Sequence, residues 1–207
     1  MFQKTFFAGS LILAGVLAFA GLSWGEQVST ITLNGKPLTL MGQTAQVGKI
    51  LPNVSLPDLG LNMIDLKSFK GKVTILSIVP SLDTPTCDKQ THFLSEENKG
   101  LDKTAKLVTI SRDLPFAQKR FAKEANIHNI LFLSDYRDAE FGKSTGLLIE
   151  ENRLLARAVI VLDREGVIRY LEVVRELAQL PEMEKAFHSA WSLISKDKLN
   201  PEHWYLR

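Results

Sequence analysis

The chain has 207 residues, of which 45% are apolar and 23% are charged. This composition is typical of a folded domain with a packed core, and the length suits one domain of ordinary size. The formal net charge is only +2, so the chain lacks the basic excess that would hold phosphates or anionic lipids. Nucleic acid is therefore not expected as a partner.

The first 25 residues, MFQKTFFAGSLILAGVLAFAGLSWG, have the layout of a secretory signal peptide. One basic residue, Lys4, precedes an apolar stretch from Phe6 to Leu22, and cleavage after Ala20 or Gly25 would suit the small residues there. We therefore expect export, with the periplasm as the destination. The alternative is an uncleaved membrane anchor, because an apolar stretch of 17 residues is at the short limit for spanning a bilayer.

Residues 26–207 are expected to form a single domain with a short C-terminal tail. Its first segment, VSTITLNGKPLTL, predicts a β-hairpin, because β-forming residues flank the turn-forming pair Asn34 and Gly35. The following stretch is interrupted by Pro52 and Pro57 and shows no helical period. It predicts loops with a short strand.

The segment KVTILSIVP is a continuous apolar run rich in β-branched residues, which is typical of a strand covered on both faces. Helical and extended patterns then alternate along the chain. They predict a helix over 86–98, a strand over 106–111, a helix over 115–126, a strand over 130–134, a helix over 138–145, a hairpin over 157–174 that turns at 164–166, and a closing helix over 181–196. This order predicts an α/β fold with a central mixed sheet flanked by helices, in addition to the N-terminal β-hairpin.

The chain has one cysteine, Cys87, which cannot close an internal disulfide. It either pairs between chains, is buried and inert, or reacts. Thr84 is the expected N-cap of the helix after the strand, with its hydroxyl accepting a backbone hydrogen bond, and Pro85 suits the first helical position. Cys87 is then the third helical residue, where amide groups and the helix dipole favour a thiolate. Asp88 opposes that charge, so a nearby cation, most naturally an arginine, is required.

The residues around this cysteine form the pattern P-x-x-x-T-x-x-C, with Pro80, Thr84 and Cys87 at the defined positions. The pattern resembles the active-site signature of the peroxiredoxins. The segments PSLDTPTC, SRDLPFAQKRF, LSDYRDAEFGKSTGL and LARAVIVLDREG occur in the order and spacing of the thiol peroxidase branch of that family. The resemblance extends from about Val28 to the closing helix.

The resemblance implies a thioredoxin-like fold and a peroxidase that needs no cofactor. By the same resemblance, the Cys87 thiolate attacks a peroxide and becomes a sulfenic acid. Thr84 orients the peroxide and the thiolate, Pro80 shields the sulfur from water, and Arg157 on an inward-facing strand position holds the thiolate and the O–O bond. Arg137 shapes the pocket or an interface, or instead pairs with a neighbouring acid of its own segment. A homodimer is a further implication of the family.

The chain departs from the family pattern at Ala122, where many thiol peroxidases carry a second, resolving cysteine. Without it, no internal disulfide can form. The sulfenic acid on Cys87 is then expected to be reduced by an external thiol, either a small thiol or a thioredoxin-like protein. The sequence thus predicts a one-cysteine peroxidase.

Other chemistries have weaker support in the sequence. A cysteine hydrolase needs a histidine base, but His92 falls on a different face of the helix from Cys87 and the other three histidines lie in no recognisable motif. The histidines show no metal-ligand spacing. The stronger rival is a non-enzymatic thioredoxin-fold module that binds or senses through mixed disulfides at Cys87. Thr84 together with Arg157 favours the enzyme, because a binding module does not need both.

Overall fold

The computed structural model describes residues 30–199, with side-chain surroundings up to residue 195. The predicted signal peptide or anchor and residues 200–207 of the predicted C-terminal tail lie outside the described residues, whereas the first three residues of that tail, 197–199, belong to the last helix. Within the described range, no helix combines the length and apolar character needed to cross a membrane.

The first element is the predicted hairpin, formed by β1 (Thr30–Leu33) and β2 (Lys36–Met41). Asn34 and Gly35 have φ angles of 51° and 74°, which is the left-handed pair that a tight two-residue hairpin turn requires. The prediction of this hairpin and of its turn is confirmed.

The proline-interrupted segment forms two short antiparallel strands, β3 (Ser55–Pro57) and β4 (Met63–Asp65), followed by a 3-10 helix over Leu66–Phe69. The prediction of loop and short strand holds here, with one strand more than expected.

Five strands form the central sheet, in the spatial order β10-β9-β5-β6-β7. They are β5 (Thr74–Ile78), β6 (Lys106–Ser111), β7 (Leu131–Ser134), β9 (Ala158–Leu162) and β10 (Ile168–Val173), and a two-residue strand, β8 (Leu148–Ile149), pairs with β2. The strands β5, β6 and β7 are parallel, whereas β9 is antiparallel to both β5 and β10. All five residues of β5 are buried. The predicted mixed sheet, with a central strand covered on both faces, is confirmed.

Within residues 30–199, four α-helices flank this sheet: α1 (Pro85–Glu96), α2 (Pro115–Glu124), α3 (Glu140–Thr145) and α4 (Met183–Leu199). A short 3-10 helix over Leu101–Lys103 precedes β6. The predicted bounds of α2 and α3 are wrong by two residues at one end because Asn126 and Ala139 have left-handed φ angles of 53° and 54°. A residue in that conformation cannot continue a right-handed helix.

The register of the sheet explains where the functional site can form. Ile78 at the end of β5 pairs with Ala158 at the start of β9. The residues that follow Ile78 and the residue that precedes Ala158 therefore lie at the same edge of the sheet. This edge receives the N-terminus of α1, which packs with α4 and α2 in an apolar cluster on one face of the sheet.

Candidate active site

The loop after β5 leads into α1 as the sequence predicts. Thr84 is the N-cap residue, with extended φ and ψ of −120° and 143°, and Pro85 is the first helical residue. Cys87 is therefore in the first turn of the helix, and it is completely buried. Its sulfur lies near the positive end of the helix dipole.

The hydroxyl of Thr84 does not cap the helix, which corrects the prediction of a capping hydrogen bond. It donates instead to Cys87 Sγ at 2.8 Å, and the carbonyl oxygen of Ser81 lies 3.1 Å from the same Oγ1. Cys87 is at the third helical position, whose amide a capping side chain would reach. The Thr84 hydroxyl is instead oriented as a donor toward the sulfur of that residue.

The guanidinium of Arg157 contacts the same sulfur, although the two residues are 70 positions apart in the sequence. Nη2 lies 3.4 Å from Cys87 Sγ, Nη1 donates to Gln90 Oε1 at 2.8 Å, and Nε donates to the carbonyl of Leu177 at 2.9 Å. Arg157 directly precedes β9 rather than lying within the strand, which corrects its predicted position by one residue. The planar guanidinium thus contacts three groups in fixed directions, a geometry that the ammonium of lysine cannot reproduce.

The burial of Arg157 bears on the charge of the sulfur. Its exposed fraction is only 2%, and among the described residues its hydrogen-bond acceptors are a carbonyl, an amide oxygen and Cys87 Sγ. A buried cation without a negative partner is costly. Of these three acceptors only the sulfur can become negative, so the site is electrostatically arranged for a thiolate.

Gln90 is a site residue that sequence reasoning missed. It is fully buried, accepts from Arg157, and donates through Nε2 to Ser77 Oγ at 2.8 Å. Its position three residues after Cys87, and therefore on the same face of α1, could have indicated that it lies near the sulfur. A polar residue on a buried helix face needs a partner, but the sequence does not say which one.

Asp88 faces away from the sulfur. Its carboxylate lies 3.5 Å from Nε2 of His92, and Nδ1 of His92 contacts Glu96 at 2.6 Å. These three side chains form a row on the more exposed face of α1. The opposing charge that we expected from Asp88 is therefore directed outward.

Asp113 is a second site residue that was not predicted, although it lies in the segment SRDLPFAQKRF. Its carboxylate accepts hydrogen bonds from Ser81 Oγ at 2.7 Å, from the backbone N–H of Leu82 at 2.8 Å and from Ser111 Oγ at 2.7 Å. Since the Ser81 carbonyl accepts from the backbone N–H of Thr84 at 3.3 Å, Asp113 fixes the loop that presents the Thr84 hydroxyl.

The other predicted site residues are placed as follows. Pro80 is buried between β5 and this loop. Ala122, at the position of the family's resolving cysteine, is 6% exposed and packs in the same apolar cluster as Cys87.

Arg137 is exposed and lines a separate cleft of about 220 Å³ with residues of β3 and of the segment between β7 and α3. The lining of that cleft does not include Cys87 or Thr84.

Comparison with known proteins identifies the family of the chain. Residues 46–187 match the model of the family described as Redoxin. The chain is 44% identical over 163 residues to a thiol peroxidase of Halalkalibacterium halodurans, covering 79% of this chain and 98% of that protein. It is 42% identical over 167 residues to a thiol peroxidase of Bacillus subtilis, covering 81% of this chain and 99% of that protein.

Solved structures confirm the predicted thioredoxin-like fold. A peroxiredoxin-like protein from Aquifex aeolicus superposes with a TM-score of 0.76 at 34% identity, covering 82% of this chain and 99% of that one. A thiol peroxidase from Chromobacterium violaceum has a TM-score of 0.68 at 24% identity, covering 82% and 97%, and supports the fold alone. With a family model over most of its length and relatives above 40% identity, the chain belongs to the thiol peroxidase branch of the peroxiredoxins.

Proposed function

We propose that the protein is a thiol-dependent peroxidase that reduces hydroperoxides through Cys87 and is regenerated by an external thiol. The observation that carries the proposal is the convergence of two donors on one sulfur. The Thr84 hydroxyl and the Arg157 guanidinium both contact Cys87 Sγ, and the guanidinium is buried. A module that only binds or senses through mixed disulfides has no need of this pair.

The first half of the reaction is a nucleophilic displacement at oxygen. The Cys87 thiolate attacks the terminal oxygen of the hydroperoxide, so that an S–O bond forms and the O–O bond breaks. The sulfur is oxidised to a sulfenic acid, and the departing oxygen takes up a proton to leave as water or an alcohol. Negative charge moves from the sulfur to the departing oxygen during this step.

Two side chains stabilise that moving charge. The Arg157 guanidinium already donates toward the sulfur and is held at three points, so it needs little reorganisation as the charge shifts along the S–O–O line. The Thr84 hydroxyl, 2.8 Å from the sulfur, orients the peroxide beside it. Pro80 is buried next to the loop and keeps water from that side.

The second half of the reaction requires a reductant from outside the chain. An external thiol attacks the sulfenic sulfur of Cys87, forms a mixed disulfide and releases water. A second thiol then displaces Cys87 as a thiolate and leaves as the oxidised disulfide. The chain cannot supply this thiol, because Cys87 is its one cysteine.

Substrate access is expected from the Thr84 side. Cys87, Gln90 and Arg157 are buried, whereas Thr84 and Pro85 are exposed. We therefore expect a peroxide to approach the sulfur past the exposed Thr84, whose hydroxyl is 2.8 Å from Cys87 Sγ.

Mass spectrometry of the peroxide-treated protein tests the proposed chemistry. We expect the Cys87 peptide to gain one oxygen, a dimedone adduct to form on the same residue, and added dithiothreitol to restore the free thiol. The Cys87→Ser variant provides the control for oxidation elsewhere. An unmodified Cys87 thiol after mild excess peroxide contradicts the proposal.

We also propose export to the periplasm, which rests on the signal-like pattern of residues 1–25. Cell fractionation and N-terminal sequencing test it. The expected product is a periplasmic chain that begins at Gly21 or Glu26. A full-length chain in the membrane fraction would instead support the uncleaved anchor.

Pairing of two copies is a proposal that rests on the family resemblance. The exposed Arg137, beside its cleft, is the candidate interface residue. Sedimentation of the parent chain and of Arg137→Ala tests both ideas, and a monomeric parent chain at micromolar concentration would rule them out.

A further inference from the structure

The N-terminal hairpin contacts the segment that follows β10, although more than 140 residues separate them. The backbone N–H of Thr32 donates to Arg175 O at 2.6 Å, and the backbone N–H of Leu177 donates to Thr32 O at 2.7 Å. The carbonyl of Leu177 is in turn the acceptor for Arg157 Nε. The hairpin and the active-site guanidinium are therefore two hydrogen bonds apart.

The carboxylate of Glu176 holds this contact together. It accepts from the backbone N–H groups of Asn34 at 3.0 Å and Gly35 at 3.2 Å, from Thr32 Oγ1 at 2.9 Å, and from the N–H of Ala178 at 3.3 Å. The left-handed turn at Asn34 and Gly35 directs two consecutive amides to one side, which forms a small anion-binding concavity. The N–H of Asn34 and the hydroxyl of Thr32 hold the pKa of Glu176 below its usual range.

We propose that Glu176 is a positioning residue for the peroxidase reaction, acting through the Leu177 carbonyl on Arg157. The carboxylate docks the hairpin turn onto residues 175–178 and fixes the direction of that carbonyl. The carbonyl, with Gln90, sets the plane of the guanidinium so that Nη2 faces Cys87 Sγ. The hairpin thus completes the active site without contributing a group that touches the sulfur.

The same segment also contacts the first turn of α1. Thr86 Oγ1 donates to the carbonyl of Ala178 at 3.3 Å. A shift of residues 175–178 would therefore move the partner of Arg157 and a contact of the helix that carries Cys87. An error of about 1 Å in the position of a reacting group can lower a rate by about a hundredfold.

The test is a double-mutant cycle on the second-order rate constant for oxidation of Cys87 by hydrogen peroxide, measured in the full chain by rapid quench and mass spectrometry. Glu176→Gln keeps the size of the side chain but points an amide N–H toward N–H donors. We expect it to lower the rate constant about tenfold. In an Arg157→Ala background, the same substitution is expected to cause no further loss, because Glu176 acts through that arginine.

Glu151→Gln is the matched control. Glu151 Oε1 and Oε2 accept from the backbone N–H of Thr39 at 2.9 and 3.0 Å, so this carboxylate holds the other strand of the same hairpin. It does not contact residues 175–178 in the described hydrogen-bond network. Its loss is expected to leave the oxidation rate within about twofold of the parent, whatever its effect on the unfolding temperature.

The inference rests on the proposed function, and the cycle separates the two failures. If Cys87 of the parent chain is not oxidised by peroxide, the proposed function is wrong. If Arg157→Ala oxidises as fast as the parent, the proposed function stands, but Glu176 cannot act through Arg157 and its role is overturned. If Arg157→Ala is slow but Glu176→Gln is within twofold of the parent, only the role of Glu176 is overturned. The same holds if the double variant shows the product of the two single losses, because Glu176 would then act independently of Arg157. Should Glu176→Gln fail to fold, Glu176→Asp decides in its place, because it keeps the charge but shortens the reach of the carboxylate toward the amides of Asn34 and Gly35. A rate unchanged in Glu176→Asp would then overturn the role.

Discussion

Replacing Cys87 with serine is expected to abolish peroxide reduction, with turnover at least about a thousandfold below that of the parent chain. A serine hydroxyl is nearly isosteric with the thiol, but it does not ionise near neutral pH and cannot be oxidised to a sulfenic acid. Thr84 and Arg157 would still face the substituted atom. The measurement is peroxide consumption in the presence of dithiothreitol.

The fold of this variant must be checked separately, because Cys87 lies in the apolar cluster beneath α1. The thermal unfolding of Cys87→Ser and its circular dichroism spectrum serve this purpose. Turnover above about a tenth of the parent rate in a folded Cys87→Ser variant would show that another group reacts with peroxide.

The Arg157→Ala variant is expected to oxidise Cys87 about 10²- to 10³-fold more slowly than the parent, as for the loss of one preorganised donor to a developing charge. Arg157→Lys is expected to recover only part of this loss. Lysine keeps the charge, but its ammonium cannot contact the Leu177 carbonyl, Gln90 and Cys87 Sγ in the same fixed plane. Alkylation of Cys87 by iodoacetamide at neutral pH should slow in the same order, because the thiolate loses its buried counter-charge.

The control for Arg157→Lys is Arg169→Lys. Arg169 Nε pairs with Asp163 Oδ2 at 2.5 Å beyond the opposite end of β9, and its side chain is 48% exposed. The same chemical change at that position has no route to the sulfur. If Arg157→Lys is as active as Arg169→Lys, the positive charge alone, rather than the planar geometry of the guanidinium, determines the rate of Cys87 oxidation.

Local patterns in the sequence were sufficient for most of the fold. The run of β-branched residues identified β5, and the proline at position 85 identified the start of α1. Where prediction failed, the cause lay outside the local pattern. Ala139 adopts a left-handed backbone that its type does not favour, and the two-residue strand β8 forms by pairing with the distant β2.

The candidate site was likewise predicted only in part. Cys87, Thr84 and Arg157 were predicted from motif positions, and the structure brings these three together. The supporting contacts of Gln90, Asp113 and Glu176 were not predicted. Each joins segments far apart in the chain, and single-sequence patterns do not specify which distant polar groups meet. The hydroxyl of Thr84 was expected to accept a backbone hydrogen bond as a helix cap, whereas it donates to the sulfur of Cys87.

The methyl group of Ala122 has a kinetic consequence. In a relative with a thiol at this position, the sulfenic acid is converted to a disulfide in a first-order step within one molecule, and a reductant is needed only afterwards to reopen that disulfide. Here removal of the sulfenic acid is itself second order, and its speed scales with the concentration of reductant around the protein. When reductant is scarce, Cys87 is expected to stay a sulfenic acid long enough for further peroxide to carry it to the sulfinic acid. The lifetime of the active protein then depends on the ratio of thiol to peroxide in its compartment.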